Sequence, residues 1–460
     1  MEQNDSDTIA AISTASGEAG IAIVRVSGPD SLRIADSVFR GAGPPPAERP
    51  ARTFMHGYVR PPGGSPEAAD ADEVILLIYR APHSYTREDV VEIQGHGGRR
   101  CGGRILRCVL EAGARPAEPG EFTRRAFLNG RIDLLQAEAV LDLIRARSDR
   151  AAAAAIEQLS GHLSNAFASI YDSVLESASD LETLLDFADE EQPEGVTDAA
   201  ALRVSEAAAR LRRLLETWEE GHVLRDGALV VIAGRPNVGK STLLNRLLGK
   251  ERAIVADTPG TTRDTIEEQL ILRGIPLRLV DTAGMRESEC GVERQGVERA
   301  RASVKTADLV LYVLDASQPL DLKVREEVQR LDPGRALLVL NKIDLGQRTA
   351  QSDLRPYRCC ACSLLRAPAS EELCSDIVAA VGMSFEAPPH PVISERHRTI
   401  VQSALQELQR CLTHLFEGDE AIVLAAGALR MALNMLGAVT GRVYDEELLD
   451  SIFSRFCVGK

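Results

Sequence analysis

Two rhythms of apolar residues alternate along the chain. Short apolar runs bounded by turn residues read as strands. They are Gly20-Ile-Ala-Ile-Val-Arg-Val-Ser-Gly28, Glu73-Val-Ile-Leu-Leu-Ile-Tyr79, Asp89-Val-Val-Glu-Ile-Gln94 and Ala228-Leu-Val-Val-Ile-Ala233. Ser31 to Phe39 has helical spacing, and residues 41–50 and 61–66 are Pro/Gly loops. From about Arg131 the spacing lengthens. Leu134, Ala137, Leu141 and Ile144 share one helical face. Past a break near Gly161, so do Leu163, Phe167, Ile170, Val174, Leu181 and Leu185, which predicts a long amphipathic helix. It stops at Phe187, with Pro193 and Gly195 as breakers. A further helix is expected from Asp198 to Glu220. Residues 395–460 are helical again, with Leu429, Leu433 and Leu436 in one stripe beyond a linker at Pro388, Pro389 and Pro391. The expected fold is multidomain: an α+β domain over 1–125, a helical domain in two parts over 126–226 and 383–460, and an α/β domain over 227–382. The α/β domain is expected as an insertion, since inserted domains need close termini.

The α/β segment carries Gly234-Arg-Pro-Asn-Val-Gly-Lys-Ser241 between a strand and the helical run Thr242 to Leu248. That is the P-loop pattern in its required context. Backbone N–H groups of such a loop and of the helix N-terminus cradle phosphates. Lys240 would reach the β- and γ-phosphates, and the Ser241 hydroxyl would hold Mg²⁺. Leu279-Val-Asp-Thr-Ala-Gly284 ends a strand with Asp281 and Gly284 placed to sense Mg²⁺ and the γ-phosphate. Gly260-Thr-Thr-Arg-Asp264 supplies a switch threonine. Leu337-Leu-Val-Leu-Asn-Lys-Ile-Asp344 ends a strand with Asn-Lys-x-Asp. A carboxylate there accepts both N–H groups of the guanine edge, a donor pair that adenine lacks. Four such pieces in order point to a P-loop GTPase domain. Its expected GTP contacts are Asn237, Val238, Gly239, Lys240, Ser241, Thr242, Ala256, Thr261, Thr262, Asp281, Thr282, Ala283, Gly284, Asn341, Lys342 and Asp344, with Thr262 joining Ser241 on Mg²⁺.

Composition narrows the remaining classes. The 460 residues suggest two or three domains, and 44% hydrophobic content supports real cores. A net charge of −15 excludes a global basic footprint and leaves local patches open. The N-terminus is polar and acidic, unlike a signal peptide, and no apolar run reaches membrane-spanning length, so no membrane partner is expected. Nine scattered cysteines point to reduced thiols and a cytoplasmic location. Cys359, Cys360 and Cys362 lack the second pair or histidine spacing of a metal site. Glu92 lies inside an apolar strand, either facing solvent or buried as an acceptor for a ligand's N–H groups. The ending Phe453-Ser-Arg-Phe-Cys-Val-Gly-Lys460, by composition alone, reads as a frayed tail with an incidental thiol.

Several stretches that no general GTPase explains resemble the MnmE (TrmE) family of tRNA-modifying GTPases. They are Asp7-Thr-Ile-Ala10, Ile23-Val-Arg-Val-Ser-Gly-Pro29, Pro82-His-Ser-Tyr-Thr86, Glu88-Asp-Val-Val-Glu-Ile-Gln-Gly-His-Gly-Gly98, Pro119-Gly-Glu-Phe-Thr-Arg-Arg-Ala-Phe-Leu-Asn-Gly130 and the ending Cys-Val-Gly-Lys460. The resemblance implies a folate-binding, homodimerising N-terminal domain, with Arg25, Glu92, Arg131 and Lys460 on 5-formyl-tetrahydrofolate. It reverses the reading of Cys457, which becomes a candidate catalytic residue. It also implies a flavoprotein partner, MnmG, in a heterotetramer-type complex. Together they would add an aminomethyl or carboxymethylaminomethyl group to C5 of the wobble uridine of certain tRNAs. Three departures stand out. Arg131 replaces a frequent Lys, Gly17-Glu-Ala-Gly20 is poorer in glycine, and the base-contacting Ser-Ala segment appears as either Cys360-Ala361 or Cys362-Ser363.

Many GTPases orient the attacking water with a glutamine directly after Asp-x-x-Gly. Here that residue is Met285, which cannot. The resemblance points to Glu293 acting through water; by itself Glu293 reads as a solvated charge on a switch helix. It also implies K⁺, held by Asn237 and the stretch Ala256, Thr258 and Thr261, where an arginine finger, worth roughly 10³–10⁵ in rate, would otherwise sit. The alternative from the G domain alone is a regulatory ribosome-assembly GTPase with RNA-binding flanks.

Overall fold

The computed structural model describes residues 7–15, 17–63, 69–187, 195–249, 267–281, 304–366, 371–382, 392–417 and 421–460. The chain forms two compact units. One joins the chain up to Leu141 with Gly437–Lys460, and the other spans Asp142–Leu436.

In the first unit the elements run β1 (Ile9–Ile12), β2 (Ile21–Ser27), α1 (Ser31–Val38), β3 (Phe39–Gly41), β4 (Thr53–Val59), β5 (Asp72–Tyr79), β6 (Val90–His96), α2 (Arg99–Glu111), β7 (Arg115–Pro116), α3 (Glu121–Leu128) and α4 (Leu134–Arg145). The strands form one sheet in the order β3-β4-β5-β6-β2-β1-β7. Successive side chains on a strand face opposite ways. Val24 and Val26, Leu76 and Ile78, and Val91 and Ile93 therefore enter a core with Ile34 of α1 and Ile105 of α2. Arg25 and Glu92, between those positions, are cross-strand partners on the other face. The three expected strands form; β4 and α2 were not foreseen. Strand β4 buries Met55 and Val59 but leaves Phe54, 77% exposed, and Tyr58 outward, so its alternation is not apolar against polar. Helix α2 holds Gly102 and Gly103, residues that lower the stability of a helix interior. A Cβ on Gly102 would lie 3.2 Å from Ala22 Cβ, so the small residue lets the helix approach the sheet.

The second unit continues with α5 (Asp149–Leu159), α6 (His162–Asp186), α7 (Val196–Glu216) and α8 (Trp218–Asp226). Ser148 caps α5, its hydroxyl accepting from Ala151 N. The stripe on α6 is buried as expected at Leu163, Phe167, Ile170, Val174 and Leu181, with Leu185 half-buried. On α4, Ile144 departs from its stripe and is exposed. The helix expected from Asp198 to Glu220 breaks at Thr217 into α7 and α8.

Then come β8 (Ala228–Ala233), α9 (Lys240–Leu248), β9 (Glu267–Leu272), β10 (Ile275–Asp281), β11 (Leu309–Asp315), α10 (Leu322–Gln329), β12 (Ala336–Asn341), β13 (Arg358–Ala361) and α11 (Glu371–Ala380). Their sheet runs β13-β12-β11-β8-β10-β9, parallel except where β9 joins β10. Covered on both faces, β11 and β12 are continuous apolar runs. The P-loop and the Asn-Lys-x-Asp segment leave the carboxyl ends of β8 and β12, where open α/β sheets bind ligands.

Helices α12 (Glu395–Glu417), α13 (Ile422–Thr440) and α14 (Glu446–Phe453) close the chain. One expectation is corrected here. Helix α13, at 19 residues and hydropathy 1.8, is long and apolar enough to cross a membrane by length and composition. Arg430 interrupts the run in sequence, while 56% of the window is buried within the molecule, including Leu429, Leu433 and Leu436. The last stretch is also not frayed. Asp445 caps α14 at Leu448 N, and Arg124 of α3 pairs with Glu446 and Asp450. Phe453 and Phe456 pack with Phe127 and Leu134.

Candidate functional site

The P-loop geometry depends on two glycines. Gly234 has φ 134°, and a Cβ there would lie 2.4 Å from the Val313 carbonyl oxygen. Gly239 has φ 109°, with the equivalent atom 2.3 Å from Asn341 Nδ2. Neither position tolerates a side chain, so backbone N–H groups line the loop without obstruction. Asn237, at φ 62°, is exposed on its crest. Lys240 is buried, its Nζ donating to the Arg235 carbonyl at 2.7 Å, and the exposed Ser241 follows it in the first turn of α9.

Asn341 ties this loop to the Asn-Lys-x-Asp segment. Its Nδ2 donates to the Val238 carbonyl at 2.8 Å, and its Oδ1 accepts from Leu364 N at 3.0 Å. Lys342 adopts φ 65° and donates to Asp315 Oδ2 at 2.7 Å. Burial pushes the Asp315 carboxyl up, and the hydrogen bonds from Lys342 and Ser317 more than reverse this, leaving it below the usual range. Asp344 Oδ1 accepts from the Ser363 hydroxyl at 2.6 Å, and Arg366 Nε lies 3.5 Å from Oδ2. The Ser363 hydrogen bond, aided by Arg366, holds the Asp344 carboxyl below its ordinary value. Of the two segments left open by the sequence, Cys362-Ser363 is therefore the one at Asp344. Cys360 lies in the core with Ile377 and Val378 of α11, and burial pushes its thiol up and that of Cys362 to about 11. Ala256, Thr258, Thr261, Thr262, Thr282, Ala283, Gly284, Met285, Glu293 and the side chain of Asp281 lie outside the described residues. Backbone pairing places Asp281 beside Ile232 at the end of β8.

A second site lies in the first unit. Arg25 Nε donates to Glu92 Oε1 at 2.9 Å, each side chain being 15% exposed. The Arg25 guanidinium also stands 5.3 Å from the Tyr85 ring centroid and 5.6 Å from that of Phe122. Arg131 covers Tyr85 at 4.7 Å and donates to its carbonyl. Arg25 Nη1 is buried with no hydrogen-bond partner, an orphaned donor of the kind a ligand acceptor satisfies. Glu92, Tyr85 and Arg131 line a cleft of about 530 Å³. The C-terminus joins them. Val458 bridges to Pro119, Gly120 N donates to the Cys457 carbonyl, and Gly459, at φ 98°, approaches Ile12 too closely for any Cβ. Burial, and then the charge of Arg25, lower the affinity of Lys460 for its proton, against the pull of Glu92. The Cys457 thiol is exposed.

Residues 8–131 match the family model described as GTP-binding protein TrmE N-terminus, and residues 134–457 match the MnmE helical domain. Three relatives, each named tRNA modification GTPase MnmE, align with 99% of the chain. That of Symbiobacterium thermophilum is 45% identical over 99% of its length, that of Geobacter sulfurreducens 44% over 99%, and that of Lactiplantibacillus plantarum 42% over 98%.

The chain belongs to the MnmE family.

In this MnmE-family chain, sequence reasoning had singled out Arg25, Glu92, Arg131 and Lys460, and all four lie in the first unit. It missed Tyr85 and Phe122, the rings against the guanidinium groups, and Asp315, which anchors Lys342. Tyr85 sits in a stretch already noticed, Pro82-His-Ser-Tyr-Thr86, but nothing local marks it as facing Arg25. Asp315 ends an apolar strand in register with Asn341, and that pairing was its only available signal.

Proposed function

We propose that the chain is a GTP hydrolase whose turnover is coupled to tRNA modification. With the flavoprotein MnmG, as a homodimer in a heterotetramer-type complex, it adds an aminomethyl or carboxymethylaminomethyl group to C5 of the wobble uridine at position 34 of certain tRNAs. The reaction belongs to the cytoplasm and takes its one-carbon unit from 5-formyl-tetrahydrofolate. The observation that carries this reading is the docked C-terminus, because a GTPase switch alone has no use for a last segment pinned at Pro119 and Gly120, in the domain that holds Arg25 and Glu92.

The residues fit the groups they would hold. The glycine cradle and Lys240 suit GTP phosphates, Asp344 and Ser363 the guanine edge, and the exposed Ser241 hydroxyl, with Thr262, suits Mg²⁺. Asn237 at the loop crest, with Ala256, Thr258 and Thr261, is the set assigned to K⁺. When bound, the two cations offset charge on the phosphoryl oxygens. Glu293 orients the attacking water through a bridging water, the task Met285 cannot perform. In the folate site the orphaned Arg25 donor, Arg131 and Lys460 meet anionic groups, and Glu92 accepts pterin N–H groups. Cys457 has its backbone pinned and its side chain exposed, which leaves the thiol accessible to a one-carbon donor.

Titrating purified protein with 5-formyl-tetrahydrofolate, and comparing GTPase rates in equal KCl and NaCl, tests both halves. Saturable folate binding lost in Glu92→Ala, and a rate much higher in KCl, are expected. No folate binding, or equal rates in both salts, contradicts the corresponding half.

A further inference from the structure

The chain is strongly acidic, yet α2 is not. In Arg99-Arg-Cys-Gly-Gly-Arg-Ile-Leu-Arg-Cys-Val-Leu-Glu111, four arginines face one glutamate. Gly102, Ile105, Cys108 and Val109 are buried against the sheet, which fixes the rotation of the helix and turns Arg99, Arg100, Arg104 and Arg107 to solvent. Their placement opposes the helix's own field. Cations are favoured at a helix C-terminus and anions in its first turn. Here the first turn has two arginines and no acid, and the last turn has no base. Gly98, at φ 95°, offers no side chain to cap the helix. Among the described residues, Arg99, Arg100 and Arg107 form no ion pair, and Arg104 donates to the Asp70 carbonyl, which leaves its charge unneutralised. Among the described residues, no carboxylate pairs with these charges.

We infer that the exposed face of α2 is a docking surface for the phosphate backbone of the tRNA substrate. This rests on the tRNA-modifying reading above. Four guanidinium groups lie along a helix that rises about 1.5 Å per residue, so they span roughly 12 Å, enough to meet successive phosphates. Guanidinium forks bind phosphate oxygens bidentately, and the helix N-terminus adds N–H donors of the same sign. No large apolar side chain of α2 is exposed, so the face lacks the anchor a lipid surface would need. An RNA backbone is the partner whose charge it complements. Contacts of this kind position the substrate without reading its sequence.

The test measures tRNA affinity of the full chain by fluorescence anisotropy across 0.05–0.3 M KCl. Arg100→Glu/Arg107→Glu is compared with wild type and with Arg325→Glu/Arg330→Glu, an equal charge change at exposed positions on α10 and at its C-cap. Each lost phosphate contact removes roughly 0.7–0.9 from the slope of log affinity against log salt. The α2 variant should lose about 1.4–1.8 in slope and bind roughly 25- to 60-fold more weakly near 0.1 M salt, with its GTPase rate unchanged. The α10 variant should bind like wild type. Equal affinity of the α2 variant and wild type overturns the inference, as does equal weakening of both variants. Wild type binding phosphatidylserine vesicles but no tRNA also overturns it. Whether the chain supports uridine modification at all is read separately from cellular tRNA, so failure of this surface stays distinct from failure of that reading.

Discussion

Asn341 is the joint of the nucleotide site, and Asn341→Ala measures how much it carries. The residue is 5% exposed and bridges two segments through both ends of its amide. Alanine leaves the Val238 carbonyl and the Leu364 N–H without their partner. A buried polar group stripped of its partner costs about 1–3 kcal/mol. With two groups affected and some relief from entering water, a loss of about 2–4 kcal/mol is expected. For a unit of 150–250 residues that corresponds to a fall of roughly 4–16 °C in the G-domain transition. Asn341→Asp separates the two bonds. It keeps an acceptor for Leu364 N but sets a carboxylate oxygen against the Val238 carbonyl, so it should be at least as damaging despite its nearly equal volume. Calorimetry of the full chain gives the transition, and displacement of a fluorescent GDP analogue gives the affinity. A fall below about 2 °C in both variants, with nucleotide affinity unchanged, would refute the bridging role.

Asp344→Asn should move base preference from guanine to xanthine. Ser363 keeps the remaining oxygen occupied, so the new amide stands where the second carboxylate oxygen was, and competition by GTP and XTP against one fluorescent analogue would expose an unchanged preference. Glu293→Ala should leave nucleotide affinity nearly intact while slowing turnover strongly, because the role proposed for it exists only in the transition state; turnover within about twofold of wild type returns it to the reading of a solvated charge. His222 should make the second unit less stable in alkali. Its hydrogen bond to Asp226, and then the Asp308 carboxylate 3.7 Å away, raise it against burial from 6.5 to about 9. A folded-state value above the unfolded one gives stability that is complete below about 6.5 and lost as pH rises through about 9. Melting temperatures of wild type and His222→Gln between pH 7 and 10 check this, since the variant should lose the alkaline decline and an identical decline in both would count against the pair.

The sequence was most legible where one segment carries its whole signal. The P-loop shows strand, glycines and helix between Ala228 and Leu248, and β11 and β12 are apolar because both faces are covered. Helix α6 shows its stripe because one face alone is buried. Legibility failed where tertiary contacts decide. Helix α2 survives two glycines because it packs closely on β1 and β2, and β4 exposes aromatic residues that a solvated face would rarely carry. The docking of Val458 on Pro119 joins two segments far apart in the chain that no local pattern relates. Glu92 could be read either as solvated or as a buried acceptor, and only the register that sets it opposite Arg25 separates the two. In the same way, the pairing of β13 with β12 decides between Cys360 and Ser363, because it fixes which residue leaves the sheet beside Asp344.

The central claim is that GTP hydrolysis by this chain serves tRNA modification through the docked C-terminus. Mass spectrometry of wobble-position nucleosides tests it most directly, in cells deleted for the gene and complemented with either wild type or Cys457→Ser. The account predicts that C5-modified uridines disappear on deletion and return with wild type. They should stay absent with Cys457→Ser, although that purified variant hydrolyses GTP normally. Unchanged modified uridines in the deletion strain, or full restoration by Cys457→Ser, would contradict it.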